Sequence, residues 1–188
     1  MNQRDRLRAL ILPIALLSVG AVGCGGGGRD AVSDPFAVAP ACTSGRLLDP
    51  NDQPSPWMSP GRPCIACHVE ENTASGEEGD APVFTFAGTA FPTGHEPDHC
   101  SGAPAAGAVV QVIDARGLSI TSVVNDGGNF FERLPGFAFP YTARITFQGR
   151  TRAMLQPQRD GDCNACHTQG GTNSDAAGDP APGRIVLP

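Results

Sequence analysis

Lysine is absent from this chain of 188 residues: all 13 basic residues are arginine, set against 19 acidic ones. We read that bias as a property of the source composition and not as a site. With acidic residues in excess, nucleic acid and anionic membrane surfaces are poor partners. Long apolar runs are equally scarce. Only Ala9–Val22 is sustained, and at 14 residues with Pro13 inside it is too short to span a bilayer as a helix. Past that run, no stretch keeps a helical period for more than two turns. Nor is there a G-x-S-x-G elbow to accompany the Ser, His and Asp residues, so no serine-hydrolase site is expected.

The N-terminus reads as an address. Arg4, Arg6 and Arg8 precede the apolar run, which ends in Ala21-Val22-Gly23-Cys24 followed by Gly25 to Gly28. This pattern resembles a bacterial lipoprotein signal. That resemblance implies cleavage after residue 23, lipidation of Cys24 and an exported protein anchored by lipid; an ordinary secretory peptide cut nearby is the alternative. Without residues 1–23 the balance is 10 Arg against 18 acidic residues, because Arg4, Arg6, Arg8 and Asp5 leave with the signal. The expected place is the cell envelope, on the outer or inner membrane, facing the periplasm or the cell surface.

Two five-residue stretches carry the chemistry, Cys64-Ile65-Ala66-Cys67-His68 and Cys163-Asn164-Ala165-Cys166-His167. Each is C-x-x-C-H, the attachment signature of a c-type haem. Two thiols at this spacing can each form a thioether to a porphyrin vinyl group, and the adjacent histidine becomes the proximal iron ligand. Composition alone predicts only about 0.005 such motifs in the chain. A thioredoxin-like pair belongs beside a βαβ pattern, which is missing. A zinc site would use the cysteines but leaves the histidine after both pairs unexplained. Two covalently bound haem c groups are therefore expected, on Cys64, Cys67 and His68 and on Cys163, Cys166 and His167. Seven cysteines, less four for haem and Cys24 for lipid, leave Cys42 and Cys100, which in an oxidising compartment are expected to pair.

Between the motifs the pattern turns to β. Val83–Ala90 alternates and stops at Pro92, and Ala108–Asp114, Leu118–Val124, Asn129–Phe131, Tyr141–Phe147 and Arg150–Leu155 follow, with Asn125-Asp126-Gly127-Gly128 as a turn signal. Arg184–Pro188 could add a short final strand. The fold class expected is mainly β, a small antiparallel β-sandwich flanked by irregular haem-binding segments. The expected organisation is signal 1–23, tether 24–40, first haem segment 41–81, sandwich 82–156, then second haem segment and tail 157–188. Residues 69–81 read as an acidic surface loop, and Trp57 as either a porphyrin neighbour or plain packing. Gly107 to Asp114, Gly117 and Thr121 to Phe130 resemble a carboxypeptidase regulatory-like domain. That resemblance implies a transthyretin-like β-sandwich without catalytic residues of its own. With the flanking motifs, the whole resembles exported dihaem c-type cytochromes built on a β module.

Four histidines are present, and His68 and His167 are claimed by the motifs. His95 and His99 remain as candidate metal ligands. They fit H-E-x-x-H, but Pro97 inside that motif, Gly94 before it and Gly102 and Pro104 after it oppose the helix a zinc protease needs. As distal haem ligands they compete with Met58 and Met154. The reading favours His95 above the iron of His68. The function expected is electron transfer with other redox proteins of the envelope, without catalysed turnover unless an iron with an open sixth position supports peroxidase-like activity. The alternatives are a haem-bearing sensor or binding module, and a zinc-bound structural lipoprotein if no haem is attached.

Overall fold

A computed structural model of the chain describes residues 41–46, 55–74, 81–171 and 181–188. The signal, Cys24 and the tether lie outside the described residues. The protein is mainly β, with two sheets and few helices.

β1 (Phe86–Phe91), β4 (Asn129–Glu132) and β7 (Ile185–Val186) form one sheet in the order β4-β1-β7. β2 (Val109–Ile113), β3 (Ser119–Val123), β5 (Thr142–Phe147) and β6 (Arg150–Ala153) form the other, in the order β3-β2-β5-β6. All pairings are antiparallel except β1 with β7, which is parallel. The wholly antiparallel arrangement expected from sequence is corrected at that strand.

Local chemistry explains the connections. Asp114 turns the chain from β2 to β3 by accepting amide hydrogens from Arg116 (2.8 Å) and Leu118 (2.9 Å). Gln148 and Gly149, both at positive φ (49° and 78°), close the β5–β6 hairpin. The Asn125–Gly128 turn does something else: β3 and β4 belong to different sheets, so it carries the chain across the core instead of closing a hairpin. Asn125 Oδ1 accepts the amides of Gly127 and Asn129 at 3.0 Å each.

Phe86, Val110, Val112, Val124, Phe130, Tyr141 and Ile145 form the core between the sheets. β1 differs from the other strands because all six of its residues are buried. Phe86 and Ala90 join that core. Thr89 is fully buried and carries polar bonds to segments from both ends of the chain, which assemble on this strand.

Candidate cofactor site

The first motif opens a helix, α1 (Cys64–Ala74), three turns where the sequence offers no period of that length. This corrects the loop reading of residues 69–81 as far as Ala74 and the description of the first motif segment as irregular. The physical reason lies 98 residues away. Asp162 Oδ1 accepts the Cys64 amide at 3.1 Å and Oδ2 the Ala66 amide at 3.0 Å. A carboxylate on free N–H groups at a helix start is a strong cap. Burial of Asp162 raises its pKa, and the amide bonds of Ala66, Ile65 and Cys64 oppose that rise.

The second motif begins one residue later. α2 (Cys163–Cys166) is a single turn. Inside it Asn164 is buried, with Oδ1 accepting the Thr89 amide (3.0 Å) and Nδ2 donating to Arg62 O (2.8 Å) and Thr89 Oγ1 (3.1 Å). Its Nδ2 also lies 3.7 Å from Cys64 Sγ. The two motifs thus abut on β1 and hold each other. Gly88 gives them room: a Cβ there would stand 2.8 Å from Cys163 Cβ and 2.8 Å from Phe130.

Each motif histidine is oriented the same way. His68 Nδ1 lies 2.7 Å from Pro82 O, and His167 Nδ1 lies 2.9 Å from Gly183 O. Because a carbonyl oxygen only accepts, Nδ1 carries the proton in both, and in the neutral ring Nε2 keeps its lone pair. His95 and His99 repeat the pattern, toward Gln169 O (2.8 Å) and Pro60 O (3.2 Å). Burial lowers the pKa of His167 and of His99, favouring the neutral ligand form.

The structure separates His95 from the position expected above His68. His95 contacts the segment after the second motif, and the residue facing His68 Nε2 is Met58, with Sδ at 3.2 Å. Phe84 packs on the His68 ring, centroid to centroid 4.9 Å. Met154 instead packs against the core between the sheets. Trp57 stacks under the Arg46 guanidinium at 5.0 Å.

The cysteines divide into three groups. Cys42 and Cys100 are disulfide-bonded with Cα atoms 5.2 Å apart. Cys64, Cys67 and Cys163 are free. Burial pushes the Cys163 thiol up to about 12 and raises those of Cys64 and Cys67 as well, so all three are neutral thiols at pH 7. Cys166 is disulfide-bonded. Among the described residues, the only cluster of three or more potential His, Cys, Asp or Glu ligands is Cys42, Asp98 and Cys100, whose two sulfurs are already bonded to each other. The motif cysteines therefore do not converge as a four-thiolate zinc site would.

Beside both motifs lies an open groove of 590 Å³. Ile65 of the first motif and Asp160 and Gly161 ahead of the second line it, with Phe84, Phe137 and Phe139 as its aromatic wall. No helix among the described residues is long and apolar enough to cross a membrane. No protein-family model, curated protein or solved structure matches the chain.

Proposed function

We propose that this chain is a lipid-anchored dihaem electron carrier of the cell envelope, working with other redox proteins there. One observation carries the reading. Both motif histidines donate Nδ1–H to a backbone carbonyl and so present Nε2 as a lone pair, the orientation in which metal-bound histidines are held.

The residues present fit the group. His68 and His167 would be the proximal ligands, with thioethers at Cys64 and Cys67 and at Cys163 and Cys166. Cys166 is disulfide-bonded, so a thioether there would require prior thiol–disulfide exchange with a dithiol reductant, which takes up the disulfide's oxidising equivalents. We read the two sheets as a small β-sandwich that holds the motifs, in the manner of a carboxypeptidase regulatory-like module. Haem, once bound, supplies one-electron cycling of its iron. The chain's own residues do the rest: Asp162 and Asn164 fix the two motifs against each other, and Pro82 and Gly183 hold the imidazoles in register. Haems held on these two motifs would lie near each other, because the motif segments touch.

A haem-stained denaturing gel and an intact mass test the reading directly. Protein matured with a working attachment system should carry two covalent haems. Cys64 and Cys67 replaced by Ala should remove one, and Cys163 and Cys166 replaced by Ala the other. A colourless wild-type band refutes it.

A further inference from the structure

Met58 Sδ and His68 Nε2 face each other at 3.2 Å. With Nδ1–H committed to Pro82 O, an Nε2 that carries no proton offers only a lone pair, and a thioether sulfur offers only lone pairs. Two acceptors aimed at one another repel unless a proton or a metal ion stands between them. Each would bond a first-row metal at about 2.0–2.3 Å, so the two must part before a metal can stand between them.

The segment carrying Met58 is fixed from outside. Asn129 Nδ2 donates to Met58 O and to Pro56 O, at 3.1 Å each. Asn129 Oδ1 accepts the Thr89 hydroxyl at 2.6 Å, and Thr89 in turn accepts from Gly61 N and from Asn164. A buried polar network thus positions the sulfur, as a supporting shell positions a ligand.

His95 falls on the other motif. Its Nδ1 is bound to Gln169 O, two residues past His167. Its Cε1 lies against Gly183, 3.2 Å from where a Cβ would stand, and the Gly183 carbonyl takes the His167 Nδ1–H. The Arg184 amide donates to Gly94 O at 2.7 Å and ties the His95 loop to that same segment.

Resting on the dihaem reading, we propose that Met58 completes the iron held by His68 and that His95 belongs to the iron held by His167. The two haems then carry unlike axial sets. A thioether ligand raises the reduction potential relative to a second imidazole, so the first-motif haem is the higher-potential site. An electron shared between the two therefore rests at the first.

The test uses the oxidised holoprotein, its two haems first counted on the gel. Wild type should show the near-infrared sulfur-to-ferric charge-transfer absorption and two separate midpoint potentials. Met58→His should abolish that absorption and lower the upper midpoint while leaving the lower one in place; Met58→Ala should abolish it and make one iron high-spin. His95→Ala should keep the absorption and turn the other iron high-spin by electron paramagnetic resonance. Persistence of the absorption in both Met58 variants overturns the first half. Loss of it in His95→Ala, or a spin change in His99→Ala, overturns the second. A colourless gel would instead defeat the haem reading itself, so the two failures are told apart.

Discussion

Asp162→Ala is the most informative single change, because one carboxylate caps a helix that begins 98 residues earlier in the chain. Asp162 accepts the amides of Cys64 at 3.1 Å and Ala66 at 3.0 Å. Each bond to a charged acceptor contributes about 1.5–3 kcal/mol, offset by the desolvation of a buried carboxylate. A lost helix cap alone costs about 0.5–2 kcal/mol. We expect Asp162→Ala to destabilise the protein by about 2–4 kcal/mol in urea denaturation, since two amides lose their acceptor. Asp162→Asn keeps one neutral acceptor and should cost about half as much. Native-state hydrogen exchange gives the sharper readout. The Cys64 and Ala66 amides should lose protection in Asp162→Ala by more than the global loss of stability explains, with amides of β5 and β6 as the internal control. Unchanged relative protection at Cys64 and Ala66 would refute the cap and, with it, the account of why α1 exists.

Three further outcomes follow from other parts of the molecule. Asn164→Ala orphans the buried Thr89 amide and removes the donor to Arg62 O; a loss of about 2–3 kcal/mol is expected by denaturation, and a neutral result would mean the motifs are not held through this side chain. Gly88→Val should prevent native packing, since its Cβ would stand 2.8 Å from Cys163 Cβ, and a thermal midpoint equal to wild type would contradict that approach. The acid side of the stability curve has a definite sign. The Thr43 hydroxyl bonded to Asp98, with the amides of Cys100 and Thr43, holds that carboxyl below its usual range. A depressed carboxyl pKa contributes stability above its unfolded value of 3.8 that is lost as pH falls through the folded value. Asp98→Asn should therefore flatten the urea-midpoint profile below about pH 4, and an unchanged profile would show that Asp98 titrates alike in both states.

Much of the β architecture is legible from alternation and turn residues. β2, β3 and β5 fall inside the stretches Ala108–Asp114, Leu118–Val124 and Tyr141–Phe147, because a sheet with one face on the core imposes a period of two on the side chains. Sheet membership is not legible. Asn125-Asp126-Gly127-Gly128 has the composition of a hairpin turn, yet it passes the chain from one sheet to the other, a choice fixed by Val124 and Phe130 entering the same core. The parallel pairing of β7 with β1 is equally hidden, since two residues carry no directional signal.

The site shows the same division more sharply. A five-residue motif is local and can be read from the string, whereas the groups that give it shape come from distant segments. The apolar residues of α1 mark no face, so periodicity has nothing to find, and the helix is specified instead by a carboxylate just ahead of the other motif. Cysteine and histidine counting could assign two sulfurs and one imidazole to each motif. It could not place Met58 over His68, because that contact depends on Asn129 of β4 holding a loop carbonyl. Nor could it separate His95 from His99, four residues apart in one loop, which turn to Gln169 and Pro60 respectively. What makes the two motifs one site is Thr89 on β1, fully buried and bonded to Gly61 before the first motif, to Asn164 within the second and to Asn129 behind Met58. A threonine in a strand announces none of this in sequence; its role exists only once three segments of the chain have closed around it.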